Sequence, residues 1–281
     1  MMVSTRASIW KMIRWQWRYA LVMAVAGTAA VMMERHYHFE RNVLPNLPLA
    51  VVGGALSIFV SFRANSAYDR WWEGRKLWGG MVNVCRHFST QVMQYIGANP
   101  EHRDSAETLL RRQVAYVHTL RCLLREDDPL KDPSVKNFLA AEELEGLRGE
   151  SNITHALLDA QFREVRELSD AGIISEFRMA SLDSSLQEML NHQGGCERIK
   201  KTPMPMLYGF LAHRLVIAFS ILFPFAVVHE LSWAVVPLTV LVGLAFALIS
   251  EAGRVLEDPF THFYNGFALS ALSTTIEINI R

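Results

Sequence analysis

Apolar residues are distributed along this chain in two rhythms. Uncharged runs gather toward the two ends, whereas roughly residues 84–200 repeat apolar side chains at three- and four-residue intervals. The second rhythm marks amphipathic helices with one buried face, and the first marks helices surrounded by apolar material. Four apolar segments stand out. Tyr19–Met33 is short for a hydrocarbon core of about 30 Å, so it spans only with help from the turn before it or from local thinning. Leu47–Phe62 carries no charge, Met204–Val228 forms a third segment, and Leu231–Ser250 is long enough to cross unaided.

The second of these segments organises the rest. It is rich in small residues (Ala50, Gly53, Gly54, Ala55, Ser57, Ser61) that let neighbouring backbones approach closely in a bilayer. Helical spacing puts Gly54, Ile58 and Phe62 on one line, each about 6 Å from the last. In several copies around an axis that line becomes a stack of apolar rings, a form of dewetting constriction. The same stripe also serves internal bundle packing, and periodicity alone leaves both readings open. Arg63, Asn65, Asp69, Arg70, Glu73, Arg75 and Lys76 follow with no proline or turn signal, so the helix is expected to leave the lipid unbroken, carrying Trp71, Trp72 and Trp78.

Before the first apolar segment, Ser4–Ala20 mixes Arg6, Lys11, Arg14 and Arg18 with Trp10, Ile13, Trp15 and Trp17 and has no acidic residue, as an interfacial helix would. It lacks the order of a secretory signal. The stretch from Glu34 to Pro48 reads as an external loop. After Gly80, amphipathic segments continue through MVNVCRHFSTQVMQYI and AETLLRRQVAYVHTLRCLLRE, break at Pro129 and Pro133, and resume in AAEELEGL, ITHALLDAQFREVRELSD and SEFRMASLDSSLQEMLNHQ. Gly194 and Gly195 are expected to mark a turn. Basic residues lie before the first segment, after the second, before the third and after the fourth, which places both termini and the middle block in the cytoplasm.

Composition narrows the function. Formal net charge is zero, so nucleic acid is not an implied partner. Cys85, Cys122 and Cys196 are far apart, with no ligand spacing, and read as free thiols. His36 and His38 form an HxH pair to which Glu34 or Glu40 could add, but two histidines are too few for a metal and a solvated loop needs no further explanation. Glu126, Asp127, Asp128 and Asp132 form an acidic patch that reads as a cation site or as a solvated loop after a helix. Asn152 sits in a glycosylation triplet with Thr154, discounted on the cytoplasmic side. His213 and Arg214, about two turns into the third segment, must face protein or water. His87, His118, His155 and His192 belong to no catalytic constellation, and no cofactor is expected.

Several runs together carry a family resemblance: SFRANSAYDRWWEGRKLWG (Ser61–Gly79), GCERIKKTPMPMLY (Gly195–Tyr208), the pair His213 and Arg214, and LEDPF (Leu256–Phe260). In this order, and over nearly the whole chain, they resemble the bestrophins, specifically the bacterial branch. The resemblance implies an all-α polytopic membrane protein with four transmembrane helices and a cytosolic helical block, closing as a symmetric homopentamer. It implies a pore lined by the second span, with its neck at Gly54, Ile58 and Phe62 and a lower aperture near Ile199 in the loop before the third span. Two departures stand out. Gly54 replaces a large apolar residue, and Ile58 stands where animal members carry phenylalanine, whose ring edges can face an anion. The chain also reads THFYNGFALS after Pro259, where animal members place an acidic calcium clasp, so no metal site is expected there.

The expected parts are residues 1–80 (interfacial helix and first two spans), 81–200 (cytosolic helices), 201–252 (last two spans) and 253–281 (a tail ending in a short helix). The expected activity is passive conduction of small monovalent ions across a cell inner membrane, chloride by resemblance. Sodium or potassium conduction is the alternative. A membrane-anchored enzyme lacks a nucleophile triad, phosphate loop or metal spacing, and a scaffold that holds partners on its cytosolic block remains a third reading.

Overall fold

The computed structural model describes residues 14, 16–37, 49–262 and 266–281. Among them every regular element is helical. The interfacial segment up to Ile13, Trp15, the loop containing His38 and Glu40, and residues 263–265 of the tail lie outside the described residues. The chain divides into two compact units, one built from residues up to Trp71 with Pro203–Asp258, the other chiefly from Trp72–Thr202 with Pro259–Arg281.

Three helices and part of a fourth make the first unit: α1 (Trp17–Tyr37), the start of α2 (Leu49–Tyr95), α8 (Met206–Leu231) and α9 (Val235–Leu256). Gly209–Leu256 is the one stretch among the described residues long and apolar enough to cross a membrane, with an 18-residue window of mean hydropathy 2.2. It doubles back at a 3-10 turn, Ser232–Ala234, where Ser232 takes a left-handed φ of 48°. The resulting α8–α9 pair packs on α1. Close approach depends on missing side chains: a Cβ on Gly27 of α1 would lie 3.1 Å from the Val236 backbone, and one on Gly243 of α9 would lie 2.8 Å from Met23. Ala30, Val31, Val228 and Val235 fill the far end of this bundle. Leu56 and Val60 of α2 pack on Val216 and Phe219 of α8.

The second unit contains the rest of α2, α3 (Arg103–Leu124), the short α4 (Pro133–Lys136) and α5 (Ala141–Gly146), α6 (Ile153–Asp170), α7 (Glu176–Lys201) and the C-terminal α10 (Leu269–Ile280). Segment starts follow local chemistry. Asn152 Oδ1 accepts from His155 N–H, Asp132 from Ser134 N–H, and Ser175 Oγ from Arg178 N–H, each relieving a backbone donor that the first helical turn leaves unpaired. The Asn152–Thr154 triplet is therefore a helix cap. Helix α3 is the centre, with Leu109, Val114, Tyr116, Val117 and Leu120 buried among its neighbours.

Buried polar groups in this unit bond to one another, as they must in a low-dielectric interior. Gln161 Nε2 donates to the Leu109 carbonyl and to Gln113 Oε1, Gln113 Nε2 donates to Cys85 Sγ, and Tyr116 O–H donates to Gln193 Oε1. Burial pushes the Cys85 and Cys196 thiols up to about 12, so neither is a thiolate at neutral pH. The acidic patch is consumed by structure. Asp128 and Asp132 cap turns, Asp132 also pairs with Arg121, Glu126 with Lys200, and Asp127 with His262.

One expectation fails outright. Gly194 and Gly195 do not turn the chain; α7 runs through both. A Cβ on Gly195 would fall 2.7 and 2.8 Å from the two methyl carbons of Leu77, while one on Gly194 would meet nothing within 4 Å. The first glycine is an open helical position and the second a contact made possible by the absence of a side chain.

Candidate functional site

Helix α2 is continuous for 47 residues, about 70 Å at 1.5 Å per residue, and contains no proline. Its first part has two distinct faces. Leu56, Val60, Arg63 and Ala67 follow three- and four-residue spacing and are buried in the first unit. The line of Gly54, Ile58 and Phe62 lies on the other side. Ile58 is 60% exposed, Phe62 66% exposed, and the space around Gly54 is open. A helix otherwise built to pack thus presents bulky apolar side chains that nothing among the described residues covers.

The buried face carries a charge that hydropathy alone would not place there. Arg63 is only 6% exposed. Its Nε and Nη2 donate to Glu257 Oε1 at 3.1 and 2.6 Å, and its Nη1 donates to Ser250 Oγ at 3.3 Å. Arg70 Nε, two turns further on, donates to the Glu257 carbonyl at 2.7 Å. Burying a guanidinium is costly unless its donors are matched, and here a carboxylate and a hydroxyl match them. Room for the guanidinium comes from Gly209, whose added Cβ would sit 3.1 Å from Arg63 Nη2.

His213 and Arg214 separate. His213 Nε2 hydrogen-bonds Tyr19 O–H at 3.1 Å, with the rings edge to face, so it faces protein as expected. Arg214 is exposed and lies over the Phe210 ring at 5.1 Å. Ile199 occupies the last turn of α7 rather than a loop, and at 3% exposure it packs within its own chain. His36 is an exposed residue near the end of α1, and no group of three or more potential metal ligands occurs among the described residues. Sequence reasoning missed the Arg63–Glu257–Ser250 cluster because its members are nearly two hundred positions apart. The signals available were a lone arginine directly after an uncharged run and the place of Arg63 and Glu257 in two of the runs that carry the family resemblance.

These features describe a chain that is helical in its described residues, with one stretch apolar enough to cross a membrane and an uncovered apolar stripe on a helix much longer than a bilayer core. The whole chain, residues 1–281, matches the family described as Bacterial/Fungal Bestrophin protein, and it belongs to that family. It is 33% identical over 257 residues to a voltage-dependent anion channel-forming protein of Mesorhizobium japonicum, covering 92% of this chain and 81% of that one. A protein of the same description from Salmonella typhi is 32% identical over 235 residues, covering 83% and 75%. The crystal structure of a bacterial bestrophin homolog from Klebsiella pneumoniae superposes with a TM-score of 0.87 at 29% identity, covering 93% of this chain and 96% of that chain.

Proposed function

We propose that the chain is one subunit of a passive anion channel, a symmetric homopentamer whose pore is lined by the first part of α2. The observation that carries this reading is the exposed line of Gly54, Ile58 and Phe62 opposite a buried face on the same helix. Large apolar side chains left bare on one chain call for an assembly to enclose them. Around a rotation axis, Ile58 and Phe62 would form two apolar rings about 6 Å apart. Gly54 would leave the top of the neck wide, so the constriction would be two rings deep. Such rings hold back water and ions until they widen, and Phe62 can turn the positive edge of its ring toward a passing anion. The homologues' description as anion channel-forming proteins supports that sign.

In this reading α1, the start of α2, α8 and α9 are four spans in a cell inner membrane, with both termini and the helices of the second unit on the cytoplasmic side. The basic residues flanking the apolar segments support that orientation. Permeant ions are small and monovalent, chloride first. The end of α7 forms the lower aperture. Ile199, packed inside its own chain, would shape that aperture by holding the last turn of the helix in place. Nothing in this mechanism calls for an enzyme's reacting groups.

Purified protein in liposomes tests the proposal. With asymmetric sodium chloride and no other cofactor, an anion channel gives a reversal potential near that of chloride. A reversal potential near that of sodium would establish the cation-conducting alternative, and absence of flux would remove the channel reading in favour of a scaffold or enzyme.

A further inference from the structure

Besides its bare stripe, the first unit contains a cleft of about 340 Å³ at the end of the bundle where α1 and α8 begin and α9 finishes. One wall is apolar, with Phe210, Val216, Ile217 and Ala247; the rest carries Gln16, Tyr19, Arg63, His213, Glu251 and Arg254. Each guanidinium in the lining bonds a carboxylate, in the case of Arg63 one from outside the lining. Arg254 Nε and Nη2 donate to both carboxylate oxygens of Glu251 at 2.9 and 2.6 Å, and Arg63 is matched by Glu257. One polar group is left over: Gln16 is 3% exposed, and its Oε1 accepts no hydrogen bond among the described residues. A buried, orphaned acceptor at the wall of a cleft needs a donor, from water or from a ligand.

We infer that this cleft binds the headgroup of an amine-bearing zwitterionic phospholipid. The chemistry that fits is a cation and an anion joined by a short linker, since the lining holds the guanidiniums of Arg63 and Arg254 beside the Glu251 carboxylate. The ammonium would donate to Gln16 Oε1 beside the Glu251 carboxylate. The phosphate would accept from Arg254 and Arg63, and an acyl chain would run along Phe210, Val216 and Ile217. A headgroup bearing only negative charge would bring nothing to satisfy the orphaned acceptor beyond its hydroxyls and would face Glu251 at a cost. The volume lies within the range of small-molecule sites. The bundle end, where apolar helices meet their first charged residues, is the depth at which lipid phosphates lie. This inference is independent of conduction, because it concerns a cleft within one subunit.

Full-length protein is reconstituted in vesicles of equimolar phosphatidylethanolamine and phosphatidylglycerol, released gently, and weighed by native mass spectrometry. The expected result is one retained phosphatidylethanolamine per chain, favoured over phosphatidylglycerol by about tenfold, the value of one charged hydrogen bond. Gln16→Leu removes the acceptor and should lower that preference to near parity while leaving assembly intact. Ala247→Phe, which fills the apolar wall, should lower retention of both lipids, so the test stands even if one variant fails to fold. Equal retention of the two lipids by the parent protein, or a preference for phosphatidylglycerol, overturns the inference, as does retention unchanged in both variants. Soluble phosphoethanolamine distinguishes the sources. If it occupies the cleft while no phospholipid is retained, the site belongs to the free headgroup and the lipid assignment falls.

Discussion

Gly194 and Gly195 are adjacent helical residues whose replacement by alanine should have opposite effects on stability. Removing a glycine from a helix interior gains about 0.8–1 kcal/mol, because alanine loses less backbone freedom on folding. At Gly194 nothing opposes that gain, since an added Cβ meets no atom within 4 Å. At Gly195 the Cβ would lie 2.7, 2.8 and 3.3 Å from Cδ2, Cδ1 and Cγ of Leu77. Rotating the end of the leucine cannot clear both methyls and the branching carbon, so the side chain must leave its rotamer or the helices must part. Overpacking of this kind costs about 1–3 kcal/mol, which outweighs the propensity gain in all but the mildest case. The two variants should therefore differ by about 1–3 kcal/mol, or on the order of 5 °C in a domain of this size. Thermal unfolding of the purified protein, followed by tryptophan fluorescence in one detergent, measures the difference. Equal rises in midpoint for the two variants, or a higher midpoint for Gly195→Ala, would refute the close α2–α7 contact.

Ile58→Ala should raise single-channel conductance by widening one apolar ring, and an unchanged current would remove that side chain from the pore. Glu257→Gln leaves the buried Arg63 without its countercharge and should cost about 2 kcal/mol, less than a fully buried pair because Glu257 is partly exposed; the double variant with Arg63→Met should recover much of the loss, and thermal midpoints in detergent check both. Ile199→Ala should lower stability by about 2–4 kcal/mol as a core cavity; a change in relative permeability at an unchanged midpoint would instead mean that the side chain itself lines the aperture. Burial, reinforced by Arg121, holds the pKa of His118 below its ordinary value although its Nε2 lies 3.0 Å from Glu277 of α10. Its contribution to stability is therefore complete above pH about 6.5 and is lost as pH falls through the lower folded value. Protection factors of the α10 amides, exchange rates corrected for their intrinsic pH dependence, should be lower at pH 5 than at pH 7.5, and His118→Gln should remove the difference.

Much of the architecture could be read from apolar spacing, because helix formation and the burial of one face are local properties of the chain. The expected helices around Leu49–Phe62, Arg103–Leu124, Ile153–Asp170 and Glu176–Gln193 all form. What escaped was set by partners distant in sequence. Glycine carries no side chain whose periodicity could show whether it ends a helix or admits a neighbour, so the Gly194–Gly195 pair gave the wrong signal until Leu77 was seen against it. The acidic patch looked like a solvated loop because its partners, Arg121, Lys200 and His262, come from three separate parts of the chain. Ile58 and Phe62 were already aligned by helical geometry. Their exposure depends on which face the other helices cover, and periodicity left that choice open.

The cluster at positions 63, 209 and 257 carries an evolutionary consequence. A side chain at 209 would crowd the guanidinium of Arg63, its Cβ lying 3.1 Å from Nη2, and loss of the acid at 257 would remove the countercharge. Divergence at one of these sites is tolerable only alongside change at the others, so lineages that abandon the arginine should be the ones in which the glycine and the glutamate also wander.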